Sequence, residues 1–145
     1  DTGTNAHTGT VAIGLSALTS CTTGVNNLAI GWHALYQHTT GARNMAIGYG
    51  AMDGTAGDAN DAPASTDNVF VGYDAGGGDW EDDEDSNFNV GVGNYVMDAA
   101  MDGALNNTAL GHLSLSALTT GDNNVAVGST AGDALTPTVE MIMLP

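Results

Sequence analysis

One short stretch of alternating apolar and small residues recurs along this chain. In Asn26 to Gly31 it reads Asn-Asn-Leu-Ala-Ile-Gly: a bulky apolar residue, a small one, a branched apolar one, then Gly. The same pattern ends at Gly14, Gly31, Gly48, Gly72, Gly93, Gly111 and Gly128, in steps of 17, 17, 24, 21, 18 and 17 residues. A unit this short, repeated with so little variation, predicts a solenoid built of stacked coils. Alternation with period two predicts a strand in each coil. No segment sustains an apolar period of 3.6 residues, and Gly interrupts every window, so helix is not expected.

The alternation predicts two unlike faces. Val11, Ile13, Leu28, Ile30, Met45, Ile47, Val69, Val71, Val90, Val92, Leu110, Val125 and Val127 form a bulky face, expected to line the interior of the coils. Ala12, Ala29, Ala46, Phe70, Gly91, Ala109 and Ala126 form the other, expected to meet a neighbouring backbone, another chain included. Asn27, Asn44, Asn68, Asn89, Asn107 and Asn124 stand four residues before the Gly, where stacked amides can form a ladder. Asn also tolerates the left-handed conformation of a tight corner. The repeat glycines are expected as a second corner, where a positive φ costs nothing. A small apolar residue three positions after each Gly, as at Ala17, Ala34 and Ala51, predicts a second short strand or turn on the opposite wall. An eighth copy puts Ile142 and Leu144 on core positions with Pro145 in place of Gly, a degenerate terminal strand within 139–145.

Charge narrows what such a rod can touch. There are 17 acids and one base, Arg43, for a net charge of −16. Nothing here neutralises phosphates, so nucleic acid is not an expected partner. The same balance disfavours anionic lipid, and no apolar run is long enough to insert in a membrane. The lone Cys21 cannot make an intrachain disulfide and does not choose a redox compartment.

The repeat Asn-x-x-Ala-Ile-Gly-x-x-Ala resembles the head domains of trimeric autotransporter adhesins. Its longer form with Ala-Leu and Thr-Thr-Gly, Asn27 to Gly41, is similar to repeats of phage and viral tail fibres. The resemblance runs from about Thr10 to Leu144. It implies a parallel left-handed β-roll, an all-β solenoid of about seven to eight coils, trimeric, with three chains about one axis. Residues 1–145 then form a single repeat domain, with acidic insertions at about 53–67 and 74–86. Copies four and five depart from the pattern, with Phe70 and Gly91 where the others carry Ala.

Candidate chemistry is sparse. Eleven acids fall between Asp53 and Asp85, in the two longest insertions, which the repeat should stack about 4.8 Å apart. Asp58, Asp61, Asp79, Asp82, Asp83 and Asp85 are the candidate ligands for Ca²⁺, a hard cation that takes oxygen donors. The alternative is a solvated acidic rim. No other cofactor is implied. His7, His33, His38 and His112 lack metal-ligand spacing, so surface or stacking roles are expected. Cys21 has no His pattern that would activate it. Asn106-Asn107-Thr108 matches a glycosylation sequon. Trp32, Trp80, Tyr36, Tyr49, Tyr73 and Tyr95 flank corners, where they either stack on sugars or pack on the coil wall.

The expectation is therefore a non-enzymatic structural or adhesive module of an extracellular, cell-surface or virion fibre. Its partners would be copies of itself, as a homotrimer, and a glycan or protein receptor. An alternative is a filament subunit joined head to tail through terminal strands. A polysaccharide-degrading solenoid is the third reading; acid pairs hydrolyse glycosides, but here the acids sit in insertions rather than on the regular walls.

Overall fold

The computed structural model describes residues 8–55, 64–80 and 84–133. It is an all-β solenoid. Seven strands of three residues each, β1 (Val11–Ile13), β2 (Leu28–Ile30), β3 (Met45–Ile47), β4 (Val69–Val71), β5 (Val90–Val92), β6 (Thr108–Leu110) and β7 (Val125–Val127), form one parallel sheet in chain order. No helix occurs among the described residues. Each strand pairs with the next one repeat on, so Ala29 lies against Ala46, and Phe70 against Gly91. The strands on either side of the longer intervals keep the same register. The expected terminal strand at 139–145 lies outside the described residues.

The two faces of the sheet are the reverse of the expectation. Ala29, Ala46, Phe70, Gly91, Ala109 and Ala126 are buried. The bulky residues face outward: Ile13 is 57 % exposed and Val127 58 %, and Leu28, Ile30, Ile47, Val69 and Val71 are only half-buried. The reason is the width of the lumen. A coil of about 17 residues closes on itself tightly, and the opposite wall already fills the interior. That wall contributes Ala34, Leu35, Ala51, Met52, Ala75, Val96, Met97 and Leu115, all buried. Opposite Leu or Met only an Ala-sized residue fits, because interiors are packed to crystal-like density.

Coils four and five show the same constraint. Phe70 replaces Ala on the strand, and Gly76 replaces Leu or Met on the wall of the same coil. A Cβ on Gly76 would stand 2.9 Å from the Phe70 ring, and one on Gly91, in the next strand, 2.6 Å. The ring thus occupies volume that two glycines leave empty. Its edge also meets Trp80, with centroids 6.0 Å apart and planes at 70°, a favoured aromatic arrangement.

The opposite wall is turn rather than a second strand. Leu18, Leu35, Met52, Met97 and Leu115 all have φ between 44° and 54°. That conformation aims each N–H along the axis, so Leu35 donates to Ala51 O at 3.0 Å and Met52 to Ala75 O at 3.0 Å. Another left-handed corner falls at Asn26, Arg43, Asp67, Phe88, Asn106 and Asn123, one position before the ladder asparagines. The ladder residues themselves are not left-handed; they are buried inside the corner. The repeat glycines have φ of 133° to 146°, and a Cβ on Gly31 would fall 2.1 Å from Gly48 O. Both conformation and close approach demand Gly there.

Candidate functional site

Three features run the length of the solenoid: an interior amide ladder, an outer aromatic column with acids beside it, and the outward strand face. The ladder is continuous. Each Asn Oδ1 accepts two bonds from the following Asn. Asn44 donates to Asn27 from N (2.9 Å) and Nδ2 (3.2 Å), and Asn68 to Asn44 at 3.1 Å from both. Asn89, Asn107 and Asn124 repeat this at 2.9–3.2 Å. The Nδ2 groups also close the coil corners, as Asn27 does to Gly41 O (2.8 Å) and Asn68 to Ser86 O (2.8 Å). Burial of so many amides is tolerable because nearly every donor and acceptor is used.

A second polar line runs beside it. Ser86 N donates to Ser65 Oγ at 3.0 Å, and Ala104 N to Ser86 Oγ at 3.1 Å. These serines carry the chain back into register after each insertion. His38 is buried here, contrary to a surface role. Its Nδ1 lies 3.0 Å from Thr55 Oγ1, which donates to Met52 O at 3.1 Å. Thr55 therefore accepts from His38, which leaves Nε2 as an acceptor toward the Asn44 amide, 3.2 Å away. Burial holds the imidazole pKa below its usual value, although a hydrogen bond at Gly41 opposes this. Sequence spacing gave no sign of the His38–Thr55 pair.

The aromatics divide. Trp80 is core, with no hydrogen bond at its buried Nε1 among the described residues. Trp32, Tyr49 and Tyr73 each follow a repeat Gly, and backbone bonds between coils set them in one line. Gly50 N donates to Trp32 O (2.9 Å), and Asp74 N to Tyr49 O (2.8 Å). Five rings stack nearly parallel, in the order Tyr36, His33, Trp32, Tyr49, Tyr73. Centroid steps are 4.3, 3.3, 4.4 and 5.0 Å, with planes 3° to 14° apart. In coil five Asn94 takes the place after the Gly and the ring moves on to Tyr95. Its plane accordingly tilts 60° from Tyr73, at 5.3 Å. Parallel stacking covers the ring faces, and sugars stack on faces, so most of the column is a poor sugar platform. Three consecutive aromatics directly after a repeat Gly were the sequence signal for it.

Acids flank this column. Burial first, then Asp74 and Asp79, pushes Asp53 from an ordinary 3.8 up to about 6. Burial also raises Asp74, and it raises Asp98 with a further push from Asp74. Of the candidate Ca²⁺ ligands, Asp58, Asp61, Asp82 and Asp83 lie outside the described residues. Asp79 and Asp85 are exposed, and Asp85 Oδ1 accepts from Ala64 N at 2.6 Å. Among the described residues no group of three or more His, Cys, Asp or Glu could hold a metal ion. Arg43 forms a two-bond pair with Asp67, Nε to Oδ1 at 2.6 Å and Nη2 to Oδ2 at 2.7 Å. It thereby clamps coils three and four and holds the Asp67 carboxyl below its usual pKa.

The outward strand face carries no charge in any of the seven strands. Six steps of about 4.8 Å make it roughly 29 Å long. Comparison of the chain with protein-family models, curated proteins and solved structures finds no match.

Proposed function

We propose that this chain is a structural and adhesive module of an extracellular, cell-surface or virion fibre. It works as an assembly of copies, a homotrimer, packed through the outward strand face. The observation that carries this reading is that face: uncharged along its length and apolar but for Thr108, on a chain of net charge −16. An apolar stripe of this kind is a normal signature of an interaction site. The small-residue face assigned to a partner by the alternation is closed inside each coil and is unavailable for this role. Size measurement by light scattering tests the proposal, with Val92→Glu combined with Leu110→Glu. The unmodified chain should run as a discrete trimer and the variant as a folded monomer. A folded monomer of the unmodified chain at all concentrations refutes it.

Under the same reading, calcium is the cation that would neutralise the acidic insertions. A rise in melting temperature with Ca²⁺, kept at about 0.15 M NaCl and not reproduced by Mg²⁺, is the expected sign. The filament reading has its own support: among the described residues β1 and β7 each pair with a single strand. Unpaired edges invite strand addition. Fibres that lengthen with protein concentration would favour it over a closed trimer. A glycan or protein receptor is the expected target of either assembly.

A further inference from the structure

We propose that Tyr49 and Tyr73 form an oxidative cross-linking site, at which a dityrosine bond staples coil three to coil four. The two phenols belong to adjacent coils but stack directly, with centroids 5.0 Å apart and planes at 3°. Both are open to solvent, Tyr49 at 44 % and Tyr73 at 41 %, so an oxidant reaches them and each ring has room to tilt. Trp32 stacks on Tyr49 at 4.4 Å. An indole oxidised there is restored by an electron from Tyr49, which gathers the oxidation at the phenol pair. Burial first, then Tyr73, Asp74 and Asp53, raises the Tyr49 pKa, so the phenol is protonated and sheds its proton on oxidation.

The chemistry balances with a one-electron oxidant, such as a haem peroxidase supplied with hydrogen peroxide. Each phenol gives one electron to the oxidant and one proton to water. The two radicals join through the ring carbons beside the hydroxyls. The hydrogens on those carbons then move to the oxygens, restoring both phenols. The chain is lighter by two hydrogens, and one peroxide becomes two waters. The bond closes a loop across the acidic insertion, where the repeat is longest, and adds a covalent link between coils already held by hydrogen bonds, core packing and the Arg43–Asp67 pair. Tyr95 meets Tyr73 at a 60° tilt, through a hydrogen bond between the side chains rather than a stack, and His33 and Trp32 separate Tyr36 from the pair.

The test treats the folded chain with haem peroxidase and hydrogen peroxide, then cleaves at aspartates and maps the products by mass spectrometry. Dityrosine fluorescence should appear, with a peptide pair linking Tyr49 to Tyr73 as the main product. Mixing isotope-labelled with unlabelled chains should give no mixed pair, because the bond forms within one chain. Tyr49→Phe and Tyr73→Phe keep the stack and should each abolish the product, while Tyr36→Phe should not. Circular dichroism confirms that each variant is folded. The cross-linked chain should melt at a higher temperature than the untreated one. Linkage mainly through Tyr36 or Tyr95, mixed-label pairs, or no dityrosine in the folded chain would each overturn the proposal.

Discussion

The interior amide ladder makes a sharp prediction at its middle rung. In Asn68→Ala, Asn89 N loses the Oδ1 it donates to at 2.9 Å, and Ser86 O loses the Nδ2 donor at 2.8 Å. Asn44 Oδ1 is better placed, because Asn68 N still donates to it. Two buried backbone groups are thus left without partners. Each costs about 1–3 kcal/mol, so the variant should lose about 2–6 kcal/mol. Against a usual total of about 5–15 kcal/mol this is a severe loss. Urea unfolding followed by far-UV circular dichroism, at one fixed protein concentration, measures it. Amide exchange locates it, because Asn89 N–H should lose protection before the strands beyond its neighbours do. Asn68→Asp keeps the acceptor but not the donor. It should be worse still at neutral pH and recover as acid protonates the carboxyl, which then donates to Ser86 O. The exposed Gln37→Ala should change stability by less than about 0.5 kcal/mol. If Asn68→Ala also costs less than that and leaves Asn89 protected, the ladder is a by-product of stacking rather than a support of it.

The ring and its two glycines should behave as one unit. Phe70→Ala should cost about 3–5 kcal/mol and Gly91→Ala about 1–3 kcal/mol, whereas Phe70→Ala with Gly76→Met and Gly91→Ala should recover most of the loss, read as a coupling energy from urea midpoints. Ala29→Leu and Ala46→Leu should destabilise the coil itself by about 1–3 kcal/mol through overpacking, and should do so in a monomeric background such as the Val92→Glu, Leu110→Glu variant. Asp53, with a folded pKa raised to about 6, gives a stabilisation that is full below pH 3.8 and lost as pH rises through 6. Its exposure and solvent screening reduce this to about 1 kcal/mol, and Asp53→Asn should remove that part of the stability–pH curve. His38 runs the other way. Its depressed pKa means stability present above about pH 6.5 and lost on acidification, so His38→Gln should flatten the acid limb.

The repeat could be read from the sequence because its signals are local. Period two over Leu28–Ile30 needs only a strand; the Gly at each corner needs only a backbone that no other residue adopts; identical Asn at one register position needs only stacking. Strand positions, pairing register and the amides that meet follow from these without knowledge of the closed coil. Which face turns inward does not follow, because alternation defines two faces and is silent on the space each will meet. Leu28, Ile30 and their equivalents are the more hydrophobic set, yet Ala29 and Ala46 are inside, because Leu35 and Met52 fill the narrow lumen from across it. Phe70 departs from the repeat in sequence, and in the closed coil Gly76 and Gly91 leave the volume its ring fills. The wall itself is turn, not strand, because left-handed residues such as Leu35 and Met52 bond along the axis there, a conformation that side-chain pattern does not encode. His38 with Thr55, and Tyr49 with Tyr73, are pairs brought together by the stacking of coils. Only the closed coil, with its fixed rise and width, decides such contacts.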